Sequence, residues 1–248
     1  MPVIGIIGGS GLDNPDILDN PKDLFVSTPY GSPTSPVKSG TIAGTQVFLV
    51  ARHGRDHITP PTFVNFRAKI HALKELGCTA ILATTAVGSL RQEIKRGDLV
   101  VLDQFIDFTR RRPVSFYEKF EPHSPAHTPM AEPFDAALRD RLIKSCEKNN
   151  YPHHSAGTVV TIEGPRFSTR AESNMFRMWG ADVINMSTAP ECILAAEAGI
   201  PYAAVAMSTD YDCWKTDEPP VTWDEILHTF KQNVEKVTGV LQDVIAGL

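Results

Sequence analysis

Two carboxylates one residue apart, Asp210 and Asp212, follow the apolar run 203–207 in the stretch STDYDCW. In extended chain, residues i and i+2 point the same way, so both side chains would share one face. Two carboxylates side by side do not both ionise cheaply, and burial raises the pKa of at least one. A carboxyl held protonated there could donate to a ring nitrogen of a departing heterocyclic base, while its ionised neighbour accepts from an exocyclic amino group. A solvated acidic turn is the plainer alternative for the same residues.

A second chemistry-bearing stretch is GIIGGSG, Gly5 to Gly11, after the apolar start Val3-Ile4. Dinucleotide binding needs G-x-G-x-x-G with an acidic residue about 20 positions on, and the spacing here is G-x-x-G-G-x-G. A triphosphate loop needs a Lys after the last glycine, and none follows. What remains is a glycine turn whose N–H groups and one hydroxyl, Ser10, suit a small anion; a tight structural turn is the alternative. Other predicted strand ends carry compatible groups. Arg52 and His53 offer a guanidinium fork and an imidazole. Thr84, Thr85 and Ala86 end a strand with hydroxyls before Gly88, and Asn185-Met186-Ser187 ends a third where a helix begins. Thr188 with Glu191 has capping-box spacing, with Pro190 in the first turn, and a helix N-terminus favours an anion at Ser187. Without triphosphate or metal apparatus beside them, these groups fit inorganic phosphate as a reactant. His53 and His57 have the four-residue spacing of metal ligands on a helix, but Gly54 breaks a helix there and no third ligand is placed. His153-His154 and Arg110-Arg111-Arg112 are expected to be solvated loop residues.

The elements that must position these groups are readable from periodicity. Short β-branched apolar runs at 3–7, 47–51, 80–84, 99–102, 158–162, 183–186 and 203–207 predict strands buried on both faces. Helical spacing occurs at 63–76, 134–148, 171–179 and 193–198, and over 223–245 an amphipathic helix closes the fold. The alternation around 182–207 is a βαβ unit. The expectation is a single domain over residues 1–248, α/β, with a central mixed, partly parallel twisted sheet flanked by helices. A length of 248 residues, 42% hydrophobic and 21% charged residues supply an ordinary core, and a net charge of -5 argues against nucleic-acid or anionic-membrane partners. The cysteines Cys78, Cys146, Cys192 and Cys213 never fall at CxxC spacing, so Cys78 and Cys192 read as small core residues. No signal peptide is recognisable and no apolar run approaches membrane-spanning length, so a cytoplasmic protein is expected.

The motifs GIIGGSGLD, ARHGRDH, TTAVGSL, DQFIDFT, MAEPF, TIEGPRFSTRAES, MWGADVINMS and STDYDCW, in this order, resemble the nucleoside phosphorylase superfamily in its methylthioadenosine-cleaving branch. The resemblance implies phosphorolysis of methylthioadenosine to adenine and 5-methylthioribose 1-phosphate, with phosphate as co-substrate and no cofactor or metal. By position, Ser10, Arg52, His53, Thr85, Ala86 and Ser187 would surround phosphate. Met186 would lie beneath the ribose and Phe167 would stack on the purine. Asp210 would be the acid at purine N7, Asp212 would accept from the 6-amino group, and Ser168 stands at a position tied to base discrimination. Trp223, where other members carry valine, and Ile226 would border the substrate. His127 matches a residue that a neighbouring subunit contributes, which implies a trimer or a hexamer of trimers. A phosphorylase for 6-oxopurine nucleosides such as methylthioinosine, or a broader purine nucleoside phosphorylase, is the alternative; the acidic pair tells against it, since an ionised carboxylate facing O6 is repelled. A nucleoside-binding protein without turnover and an NAD-dependent enzyme are the readings from other classes.

Overall fold

The longest strand organises the others. The computed structural model describes residues 2–9, 17–217 and 222–248; in the last helix the side chains of Trp223, Glu225, Ile226, Leu227, Phe230 and Gln232 lie outside the description. The strands are β1 (Val3–Gly8), β2 (Asp19–Leu24), β3 (Val37–Ile42), β4 (Thr45–Ala51), β5 (Ala80–Ser89), β6 (Leu99–Val101), β7 (Gln104–Phe108), β8 (His153–His154), β9 (Thr158–Ile162), β10 (Val183–Asn185) and β11 (Tyr202–Asp210). The helices are α1 (Phe66–Glu75), α2 (Ala136–Lys148), α3 (Arg170–Met178), α4 (Thr188–Ala198) and α5 (Trp223–Ala246). One mixed sheet runs in the order β2-β3-β4-β1-β5-β10-β9-β7, with β11 also on β5, β6 on β11 and β8 on β6.

β5 changes partners along its length, and this opens the sheet. Its parallel ladder with β1 ends at Ile7 opposite Ala83, and its antiparallel ladder with β10 begins at Gly88 opposite Ile184. Along its other flank β11 runs parallel from Tyr202 to Asp210, with a bulge between Ser208 and Asp210. Residues 84–87 therefore have a strand on one side and a gap on the other. The carboxyl ends of β1, β4, β9 and β11 converge on that gap, the usual place for a ligand in an α/β sheet.

Period-two alternation places successive side chains in opposite layers. Ile4, Ile6, Leu82, Val205 and Met207 pack against Leu138 and Leu142 of α2 and Val237, Leu241 and Val244 of α5. Ile7, Ile81, Ala83, Ala204 and Ala206 face the other way, onto Phe66, Ile70 and Leu73 of α1 and Cys192, Leu194 and Ala195 of α4. This double burial is why the strands read as continuous apolar runs. Cys78, Cys146 and Cys192 are free and buried, with their thiols pushed up by burial.

Several expectations require correction. The stretch 182–207 is not a βαβ unit of parallel strands, because β10 runs antiparallel to β5 and β11 runs parallel to it. β5 does not end at Thr84 but continues to Ser89, because β11 and then β10 supply ladder partners that the polar sequence TTAVGS gives no hint of. β2, β3 and β7 were not expected: β2 is exposed from Asp19 to Asp23, with only Leu24 half-buried, and exists through its pairing with β3. His153-His154 is no solvated loop; it pairs with Leu99 and Val100 of β6, half-buried, and His154 Nε2 meets Asp98 Oδ2 at 3.0 Å. Arg110 and Arg111 are exposed as expected, whereas Arg112 is buried. α1 begins at Phe66 behind Asn65, whose side chain accepts from Ala68 N–H, and exposed Phe63 belongs to a preceding 3-10 turn. Thr188 and Glu191 form no capping box: Ser187 is the N-cap of α4 and makes no side-chain cap bond. The capping box is instead on α3, between Thr169 and Glu172.

Candidate active site

A cavity of about 350 Å³ occupies the gap beside β5. Its wall includes Arg52, His53, Thr85, Ala86, Met186, Ser187, Phe167, Ser168, Asp210 and Asp212, which brings ten sequence-nominated residues around one space.

Asp210 closes β11 just past the bulge and is 7% exposed. Its Oδ1 accepts from the Asp212 N–H at 2.8 Å, and its Oδ2 lies 2.8 Å from Thr209 Oγ1. Burial pushes the carboxyl up to about 6; those two hydrogen bonds oppose the rise and the Asp212 charge adds to it. Asp212 is not extended, as the i, i+2 reasoning assumed: it starts a 3-10 turn in the left-handed region at φ 47. It still faces the same cavity as Asp210. Ser168 Oγ donates to its carboxylate, with oxygen distances of 2.9 and 2.7 Å, while burial raises its pKa. Gly88 makes the close approach feasible, since a Cβ there would sit 3.0 Å from Asp210 Oδ1 and 3.4 Å from Asp212 Cβ.

At the basic end of the cavity, Arg52 is 1% exposed and arranged differently from expectation. The bidentate edge expected to fork a phosphate is occupied: Nε and Nη2 donate to Glu191 at 2.5 and 2.9 Å, and Nη1 donates to the Thr84 carbonyl at 2.8 Å. Tyr202 donates its hydroxyl to the same Glu191 carboxylate at 3.0 Å, and Lys69 Nζ donates to the Arg52 carbonyl. A wholly buried ion pair thus fixes the guanidinium. His53 donates Nδ1–H to the Thr59 carbonyl at 2.9 Å, which leaves Nε2 as an acceptor in the neutral ring. Burial, with Arg52 and His57 nearby, lowers its pKa to about 3, so it is neutral at physiological pH. Ser187, 4% exposed, presents a hydroxyl at the α4 N-terminus that no cap bond uses. Asn185 joins these groups: its Nδ2 donates to Thr85 Oγ1 and Thr188 Oγ1 at 3.1 and 2.6 Å.

Phe167 is 45% exposed at the cavity's edge. His127 is exposed, does not line this cavity, and sets its ring edge against Phe120 at 5.6 Å. Ser10 and the side chains of Trp223 and Ile226 lie outside the described residues. Among the described residues, no group of three His, Cys, Asp or Glu gathers as metal ligands, and no helix is long and apolar enough to cross a membrane.

Sequence reasoning gave no role in this site to His57, Asn185 and Thr209 in the cavity wall, or to Glu191 and Tyr202 behind it. His57 stacks on His53 with centroids 4.2 Å apart, within a turn whose Asp56 and His57 have positive φ. Glu191 carried a usable signal: an acid inside the apolar stretch TAPECILAA demands a buried cationic partner.

Comparison with known proteins places this geometry. Residues 3–246 match the Phosphorylase superfamily, and the chain belongs to it. Within that class it belongs to the S-methyl-5'-thioadenosine phosphorylase family. It is 54% identical over 245 residues to S-methyl-5'-thioadenosine phosphorylase of Danio rerio, covering 98% of this chain and 87% of that one. With the Drosophila melanogaster S-methyl-5'-thioadenosine phosphorylase it shares 49% over 248 residues, covering 99% and 86%. Among solved structures it is similar to Schistosoma mansoni methylthioadenosine phosphorylase in complex with adenine, with a TM-score of 0.94, 40% identity and coverage of 99% and 91%. A Schistosoma mansoni adenosine/methylthioadenosine phosphorylase variant in complex with methylthioadenosine superimposes with a TM-score of 0.92 at 40% identity, covering 99% and 91%.

Proposed function

We propose that the protein cleaves S-methyl-5'-thioadenosine with inorganic phosphate, giving adenine and 5-methylthioribose 1-phosphate. The single observation that carries this reading is the buried Asp210 carboxyl, raised to about 6, beside Asp212 in a nucleoside-sized cavity. In the reaction a phosphate oxygen bonds to the anomeric carbon as the bond from that carbon to purine N9 breaks. The electron pair passes into the purine, and Asp210 transfers its proton to N7. Such general acid catalysis is typically worth about 10²–10⁴-fold. Asp212, oriented by Ser168, accepts from the 6-amino group and selects an aminopurine. Met186 lies along the ribose and Phe167 covers the base. Phosphate occupies the end walled by Arg52, His53, Thr85, Ala86 and Ser187, with Ser10; its charge favours the cationic sugar of the transition state. Every electron stays within the two substrates, so the scheme needs no cofactor. Trp223 and Ile226 border the 5' group, and His127 reaches the site of a neighbouring copy in a homo-oligomer.

A phosphate-dependent cleavage assay comparing methylthioadenosine, methylthioinosine, adenosine and inosine tests the reading. The expected order has methylthioadenosine first and both 6-oxopurines far behind. Cleavage independent of phosphate, or a preference for methylthioinosine, would overturn it.

A further inference from the structure

Arg112 has no part in the reaction just described, yet its side chain is only 1% exposed. Its guanidinium ties together two segments that wall the cavity. Nη1 donates to the Met186 carbonyl at 2.5 Å, and Nη2 donates to the Glu163 and Ile162 carbonyls at 2.6 and 3.4 Å. Nε meets Glu163 Oε1 at 3.2 Å, and the guanidinium carbon lies 5.3 Å from the centre of the Phe66 ring. Glu163 is itself held: its Oε2 accepts the Arg110 and Arg111 N–H groups at 2.7 and 3.1 Å. Burial raises the Glu163 carboxyl, but these N–H bonds, a hydrogen bond from the Thr62 side chain and the Arg112 charge outweigh it, and the net shift is downward. The carboxylate is therefore ionised at neutral pH.

The position of this cluster matters. The parallel ladder between β9 and β10 stops at Thr161 opposite Asn185. Immediately beyond it the chain must place Met186 on one wall and, after Gly164, Phe167 and Ser168 on another. These walls touch already at their base, where a Cβ on Gly164 would come within 2.4 Å of Met186 Sδ. Arg112 takes over where the ladder ends. We propose that Arg112 is a positioning residue for the nucleoside, its guanidinium setting the separation between Met186 and the segment bearing Phe167 and Ser168. The inference rests on the proposed phosphorolysis for its substrate. A lysine cannot replace it, because one ammonium does not reach the Met186 and Ile162–Glu163 carbonyls and a carboxylate in a plane.

The test uses the full chain as wild type, Arg112→Lys, Arg112→Ala and Glu163→Gln, with methylthioadenosine and phosphate varied separately. Arg112→Lys should raise the nucleoside KM about ten- to a hundredfold, the usual range for charged hydrogen bonds, and leave the phosphate KM near its wild-type value. Millimolar guanidinium chloride, against a sodium chloride control, should restore part of the activity of Arg112→Ala. Glu163→Gln should shift the nucleoside KM in the same direction, and it decides the matter where the arginine variants do not fold. Equal rises in both KM values, or lowered melting temperature with an unchanged nucleoside KM, would overturn the proposal. Adenine affinity by calorimetry separates the two possible failures. A wild type that binds adenine without cleaving methylthioadenosine refutes the phosphorolysis, while the affinity lost in Arg112→Lys still decides the role of Arg112.

Discussion

Replacing Asp210 by Asn tests the acid and its energetic origin together. A carboxyl titrating at about 6 is protonated at pH 7 in about one molecule in ten, against about one in 1,600 at the ordinary 3.8. Burial thus enriches the competent acid about 150-fold. An amide keeps the shape and can hydrogen-bond, but it transfers no proton, so kcat on methylthioadenosine should fall about 10²–10⁴-fold with phosphate affinity largely kept. The same shift makes a stability statement. Unfolded, the carboxyl releases its proton near 3.8; folded, it retains it to about 6. Below 3.8 both states are protonated and the group contributes nothing. Between the two values stability declines with rising pH, and above about 6 the full cost is present, about 3 kcal/mol. Asp210→Asn removes this cost, so relative to wild type it should gain stability between pH 3.5 and pH 8 by up to about 3 kcal/mol. Steady-state kinetics and urea unfolding at those two pH values measure both effects. Unchanged turnover, or a variant-to-wild-type stability difference that does not move with pH, would refute the reasoning.

Glu191→Gln leaves the Arg52 charge buried without its carboxylate; it should destabilise the protein by about 3–5 kcal/mol in chemical denaturation and weaken phosphate binding. Ser168→Ala removes the donor that orients Asp212, so the preference for methylthioadenosine over methylthioinosine should narrow about tenfold in competition assays. Trp223→Val should alter the ratio of kcat/KM values for methylthioadenosine and adenosine, and an unaltered ratio would place the indole away from the 5' group.

What was readable in the sequence, and what was not, divides along physical lines. Doubly buried strands such as β9 were readable because apolar β-branched runs have few other solutions, and α5 because its apolar face repeats helically. β2 was not, since DNPKDL carries no period and owes its form to β3 alone. In the site, residue type sufficed for Asp210 and Asp212, although the turn that brings Asp212 round is not extended chain. Arg52 shows the limit: its location by the cavity was legible, but the partner that orients it lies 139 residues away. Arg112 was hidden by two exposed arginines before it, because a charge run does not reveal which member turns inward.

The break in the flank of β5 has an implication for how this protein can vary. Because main-chain pairing defines the opening, removing one residue between Thr84 and Gly88 would turn every later side chain of the strand to the opposite layer. Changes of length are therefore barred where catalysis is framed, and diversification there must proceed by exchange of one side chain for another.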